Sequence, residues 1–115
     1  NGVHGLKTTD NGSGWALVAE VHGNAVQSIS MTVDPVDNEL VVCANDDTNL
    51  VAKKFVDNTT WTDLGPTGTA IDGTAVDCAY NSDGTKIGMT YISSEAASST
   101  RGVRQKPNFQ IFYDD

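Results

Sequence analysis

The chain repeats itself every 46 to 47 residues, and this period constrains its fold more than any other feature. The segment 10–15 returns as 57–61, with an Asp-Asn pair at its start and a Trp at its end. The segment 29–34 returns as 76–81, and each of these two copies is followed by a polar turn and an apolar run. Self-similarity at this spacing, built from short apolar segments and turns, is typical of a protein made of stacked β-sheet units.

Hydrophobic alternation predicts an all-β chain without helices. The strand at 25–33 alternates strictly, which predicts Ile29, Met31 and Val33 on the core face and hydroxyl residues on the opposite face. The denser run at 40–44 is typical of a strand covered on both faces. The predicted strands are 3–9, 15–21, 25–33, 40–44, 50–56, 61–64, 74–80, 87–92 and 109–113.

The charge of the chain argues against nucleic-acid binding, and its hydropathy argues against a membrane span. The chain has 15 acidic and 7 basic residues and a net charge of −8, whereas nucleic-acid phosphates require a basic surface. No apolar run approaches the roughly 18 residues that a membrane span needs. We therefore expect neither nucleic-acid binding nor a membrane span.

The order of the motifs resembles the blades of β-propeller repeat proteins. A Trp-bearing strand and a Gly-rich turn precede an alternating strand, a polar turn such as Asn81–Gly84, and an apolar strand. The repeat length is similar to that of tachylectin-type propeller lectins. Gly-His and Trp-Asp dipeptides, typical of WD40 repeats, do not occur. The turn Asn81–Thr85 resembles part of the Asp-box of sialidase-like propellers, but Lys86 and Ile87 stand where that motif has an aromatic residue.

The resemblance implies four-stranded antiparallel blades, about two and a half of them in the 115 residues. The units are a partial blade at 1–24, blade equivalents at 25–65 and 66–106, and the start of another at 107–115. Closed propellers have about 4 to 8 blades, so an open arc would expose strand edges and blade faces. The chain starts without Met and stops where the next Trp strand is due. We therefore expect a homo-oligomer or a part of a larger propeller.

The repeated Trp motif supplies the candidate binding site. Indole rings stack on the apolar faces of sugars, and neighbouring Asp and Asn side chains bond sugar hydroxyls. The alternative is that each Trp packs between neighbouring units. The candidate ligand-binding residues are Trp15, Trp61, Asp10, Asn11, Asp57 and Asn58.

A second candidate is the insertion at 93–107, which holds Arg101, Arg104 and Lys106. Long loops in compact folds are commonly functional or disordered. With these basic residues, the insertion is either a solvated, mobile loop or a loop that binds an anion or a protein partner.

Metal and cysteine chemistry give weaker signals. Oxygen-rich segments at 34–39 and 45–49 are explained by turn chemistry, with Ca²⁺ as the alternative, and no cofactor is expected. Cys78 is predicted to be a small buried side chain, and its pairing with Cys43 in a disulfide is left open, because sequence does not give their separation.

The function predicted from the sequence is extracellular or surface recognition of glycans through the repeated sites. No set of residues suggests catalysis, so an enzyme is disfavoured. The alternatives are a structural role, as in a surface layer or virion, and a piece of a catalytic propeller such as a glycoside hydrolase. A protein surface is the alternative partner.

Overall fold

The computed structural model describes residues 2–46, 48–56, 60–66, 68, 74–93 and 106–114. The described residues form nine strands in three antiparallel sheets and no helix, so none of them forms a helix that could cross a membrane. The all-β prediction is confirmed. The strands are β1 (Val3–Lys7), β2 (Ala16–His22), β3 (Ser28–Val33), β4 (Leu40–Asn45), β5 (Leu50–Val56), β6 (Thr60–Asp63), β7 (Asp77–Tyr80), β8 (Lys86–Ser93) and β9 (Lys106–Tyr113).

The strands pair in chain order. The N-terminal sheet is β1-β2, the central sheet is the four-stranded meander β3-β4-β5-β6, and the C-terminal sheet is β7-β8-β9. Leu40 lies opposite Phe55 in the central sheet, and Ile87, 47 residues after Leu40, lies opposite Phe112 in the C-terminal sheet. The sequence repeat is thus a structural repeat with matching register. The described strands close neither a barrel nor a ring.

The core lies between the central and C-terminal sheets. Its largest fully buried side chains include Ile87, Met89 and Val41, each at 0% exposure. A disulfide joins Cys43 of β4 to Cys78 of β7, with their Cα atoms 6.4 Å apart. Both cysteines are buried in this core, so the bond ties the two sheets together at their shared interior.

Strand β4 is covered on both faces, as its continuous apolar run predicts. Val41 and Cys43 belong to the core, while Val42 and Ala44, on the opposite face, are also buried. Cys43 is out of step with the apolar residues Leu40, Val42 and Ala44, and this alternation points it towards the C-terminal sheet.

The predicted orientation of β3 is wrong. Ile29, Met31 and Val33 are exposed by 50%, 63% and 53%. Among the described residues the N-terminal sheet has two strands, and β2 contacts the central sheet at β6, the strand farthest from β3. The apolar side of β3 is therefore left open, and its hydroxyl side makes the contact with the C-terminal sheet.

Three hydroxyls of β3 accept the outward N–H groups of β7 and of Val76, the residue just before it. The N–H groups of Val76, Cys78 and Tyr80 donate to side-chain oxygens at 3.0, 3.4 and 3.2 Å. An edge strand leaves alternate N–H groups unpaired, and a hydroxyl can accept one while donating elsewhere. The accepting side chains are Ser28, Ser30 and Thr32, each 48 residues before its donor. We call these three contacts the hydroxyl ladder.

The turns that follow β3 and β7 also stack. Gly84 adopts a φ of 73°, and a Cβ at that position would lie 2.4 Å from Oδ1 of Asp34. That same Asp34 oxygen accepts the N–H groups of Val36 and Asp37 at 2.7 and 3.2 Å. Glycine is therefore required at 84 both for its backbone conformation and for the close approach of the neighbouring turn.

The disulfide generates a stability prediction. Cys43 and Cys78 are 35 residues apart. Closing a loop of that length should stabilise the fold by about 3–4 kcal/mol, because it lowers the conformational entropy of the unfolded chain. Urea unfolding with and without a thiol reductant should show the wild-type midpoint falling on reduction. A Cys43→Ala/Cys78→Ala variant is the control, and its midpoint should not respond to reductant. An unchanged wild-type midpoint would contradict the prediction.

Candidate functional site

A tight loop between β1 and β2 presents Trp15. The Thr8 hydroxyl donates to Asp10 Oδ1 at 2.7 Å, and the same oxygen accepts the N–H of Gly14 at 2.8 Å. Asn11 has a φ of 58°, a left-handed conformation that Asn tolerates better than most residues. Asp10 and Asn11 therefore shape the loop that leads into the Trp15 position.

Trp15 and Asp10 share one shallow surface depression of about 440 Å³. The indole is 62% exposed, and its Cζ2 atom lies 4.0 Å from the position of a Cβ on Gly12. The pKa of Asp10 is lowered, first by the Thr8 hydroxyl and then by the Gly14 N–H. At neutral pH this site thus combines an accessible aromatic face with an ionised hydrogen-bond acceptor. The lining residues are Lys7, Thr9, Asp10, Gly14, Trp15, Ala16 and Val18.

Trp61, the repeat equivalent of Trp15, packs between sheets. Its indole Nε1–H donates to the carbonyl of Ala19 in β2 at 2.8 Å. Its ring lies 4.8 Å from the ring of Phe55, and a Cβ on Gly5 would lie 3.5 Å from its Cζ2. These contacts join the N-terminal sheet to the central sheet, so the two equivalent tryptophans have different surroundings.

The second Trp motif and the basic loop lie partly outside the described residues. Asp57 and Asn58, and likewise Arg101 and Arg104, lie outside the described residues. Lys106, predicted to lie in the basic loop, belongs instead to β9, where it is opposite Ser93. The insertion is therefore shorter than 93–107, because pairing of β8 with β9 continues into both of its ends.

A buried His–Asp pair was not predicted. Nε2 of His22 lies 2.9 Å from Oδ2 of Asp46, whose side chain is 2% exposed, and the Asn24 amide donates to the same oxygen at 3.3 Å. The other oxygen of Asp46 accepts the N–H groups of Thr48 and Asn49 at 3.1 and 2.6 Å. The His-Gly-Asn sequence at 22–24 suggests only a turn, so the partner 24 residues away leaves no local signal.

These contacts explain the charge state of Asp46. Burial by itself would raise the pKa of this carboxyl, but the N–H of Asn49 and the other donors outweigh it and lower the pKa. Both carboxylate oxygens are engaged by donors, which agrees with turn chemistry at 45–49.

One lysine offsets part of the charge of a cluster of three carboxyl groups. Acidic oxygens of Asp34, Glu39 and Asp114 lie within 4.8 Å of one another. The Lys54 ammonium lies 3.0 Å from Glu39 Oε2 and also pairs with Asp114. Burial alone would lower the pKa of Lys54, but hydrogen bonds and charge from Asp114 and Glu39 raise it. The cluster is thus an ion-pair network linking the central and C-terminal sheets.

Tyr80 completes this network. Its hydroxyl donates to Asp114 Oδ2 at 2.6 Å, and burial together with that carboxylate raises the pKa of Tyr80. A tyrosine that stays protonated remains a hydrogen-bond donor across the whole neutral range.

Comparison with family models, with curated protein sequences and with solved structures returns no match.

The Asp46 network predicts a pH dependence of stability. A carboxyl with a lowered pKa in the fold stabilises it above its unfolded pKa, near the ordinary 3.8, and loses that contribution as the pH falls through the folded value. Asp46→Asn should be less stable than wild type by about 2 kcal/mol at neutral pH. The difference should shrink below about pH 4, as thermal melts across pH will show.

The matched control is Asp37→Asn, at an exposed position in the β3–β4 turn. Its effect should stay small across the same pH series. A constant difference between wild type and Asp46→Asn down to low pH would show that the negative charge of Asp46 does not stabilise the fold.

Proposed function

We propose that this protein is an extracellular recognition module that binds glycans at the depression formed by Trp15 and Asp10. The single observation that carries the proposal is the 62% exposure of the Trp15 indole beside an ionised carboxylate. An exposed indole offers a flat apolar face that a ligand ring can cover, and the neighbouring carboxylate can fix the orientation of that ligand.

The chemistry of the site favours a neutral sugar. An indole face stacks on the apolar C–H face of a pyranose, and Asp10 accepts hydrogens from sugar hydroxyls. The net charge of −8 disfavours sialylated or sulfated glycans, because it repels anions. The ligand class is therefore a neutral pyranose.

The architecture proposed for this module is that of β-propeller blades. Three successive antiparallel sheets, a repeated register and stacked turns support this proposal. In an oligomer of such chains, one Trp15 site per chain would give avidity from weak sites.

An extracellular or surface location is part of the same proposal. Disulfides persist in oxidising compartments and are rare in the cytosol. The bond between Cys43 and Cys78 supports this location, since its atoms lie in the core and not at a reactive surface.

A structural or assembly role is the second candidate. Trp61, which occupies the same repeat position as Trp15, makes inter-sheet contacts through Ala19 and Phe55. If a further sheet covered Trp15 in the same way, the indole would be a packing residue and the protein a component of an assembly.

Paired tryptophan substitutions distinguish the two candidates. A glycan array probed with the 115-residue chain should identify a neutral ligand, and titration calorimetry should show that Trp15→Ala loses binding without a change in melting temperature. Trp61→Ala should lower stability, by less than the roughly 3–5 kcal/mol of a fully buried Trp because it is half-buried.

Trp15→Phe is the conservative control, because it keeps an aromatic face and should retain weakened binding. The proposal fails if the wild-type chain binds no arrayed glycan, or if Trp15→Ala binds as tightly as wild type.

A further inference from the structure

Two apolar surfaces are exposed on opposite sides of the stacked sheets. The first is the β3 stripe, defined as Ile29, Met31 and Val33, which faces away from the C-terminal sheet. The second is the β9 face, defined as Phe109, Ile111 and Tyr113, with exposures of 61%, 57% and 62%. It faces away from the central sheet, because Phe112, on the other side of β9, packs on the core.

We infer that the β9 face of one chain binds the β3 stripe of a second copy, so that copies associate head to tail. The molecule already contains an interface of this kind. The residues 47 positions after the β3 stripe are Val76, Cys78 and Tyr80, and they pack against the central sheet. The β3 stripe is thus the same kind of surface as one that is covered inside the chain.

The side of the C-terminal sheet that carries the β9 face also has a polar group that can accept a hydrogen bond from the second copy. Asp77 stands 47 residues after Ser30, which accepts the N–H of Cys78 in the hydroxyl ladder. In the head-to-tail contact, the Asp77 carboxylate accepts the N–H of the second copy's Met31. Within the chain, the Ser30 hydroxyl accepts the N–H of Cys78 in the same way. The Ser30 hydroxyl already donates to Asp77 at 2.6 Å, and a carboxylate has further acceptor positions.

A depression on the same side of the C-terminal sheet fits an apolar side chain. Its volume is about 350 Å³, and Asp77, Gly88, Phe109 and Ile111 contribute to its walls. Gly88 leaves no room for a side chain of its own, since a Cβ there would lie 2.9 Å from the Phe109 ring. The flexible thioether of the second copy's Met31 suits such an irregular cavity.

The two surfaces differ from each other, so the contact is heterologous. Each copy that joins through its β3 stripe leaves its β9 face open, and association continues until a ring closes or a filament grows. An isologous dimer would instead place one surface against itself, and the two arrangements respond differently to substitutions.

Complementary variants test the inference by size-exclusion chromatography with light scattering. Wild type should form species larger than the 12.2 kDa chain. Met31→Asp and Ile111→Asp should each be monomeric with a wild-type melting temperature, because both side chains are exposed. An equal mixture of the two variants should form a dimer of about 24 kDa, twice 12.2 kDa, since it retains one intact interface.

Leu6→Asp is the matched control, because it places the same charge at a side chain that is 61% exposed and lies outside both surfaces. It should associate as wild type does. A monomeric wild type at millimolar concentration would overturn the inference. Self-association of Met31→Asp would also overturn it, since that result indicates pairing of two β9 faces.

Discussion

The arrangement of the sheets depends on how the edge of β7 is satisfied. Its alternate N–H groups point out of the C-terminal sheet and would be costly to leave unpaired beside the buried core. The Ser30 hydroxyl accepts the Cys78 N–H and donates to the Asp77 carboxylate. Just before β7, the Ser28 hydroxyl accepts the Val76 N–H and donates to the Thr74 carbonyl. An apolar side chain at either position would leave polar groups of β7 without these partners, so the polar side of β3 must face the C-terminal sheet.

The remaining contacts follow from that orientation. With β3 packed against β7, Cys43 and Cys78 come within disulfide reach, and Lys54 reaches Asp114 between the same two sheets. The apolar side of β3 is turned outward as a consequence. A separate contact, between the N-terminal and central sheets, places the indole of Trp61 against β2, whereas Trp15 remains exposed.

The sequence predicts the strands well because alternation and turn residues are local. The strand at 50–56 begins and ends where the pattern places it, and β4 is covered on both faces as its apolar run indicates. The orientation of β3 could not be predicted in the same way. Its Ile, Met and Val suggest the core face, and only a knowledge of which neighbour lies on each side shows that the hydroxyls of Ser28, Ser30 and Thr32 are needed at the interface.

The candidate site is also only partly predictable from the sequence, because its local features are visible there and its contacts between sheets are not. The repeat identifies Trp15 and Trp61 as equivalent, but their exposure depends on whether a preceding sheet lies against each ring. The His22–Asp46 pair depends on a contact between two sheets and has no spacing motif. Asp10 is predicted as a polar partner and does share the depression with Trp15, because only a short loop separates the two residues.

Native-state hydrogen exchange at single amides tests the hydroxyl ladder most directly. We expect the Cys78 amide to be protected in wild type and to exchange roughly tenfold faster in Ser30→Ala, a change of about 1.4 kcal/mol. The Ala79 amide, which points towards β8, should keep its protection in the same variant. A Cys78 amide that exchanges freely in wild type, or is unaffected by Ser30→Ala, would show that the Ser30 hydroxyl does not stabilise the edge of β7.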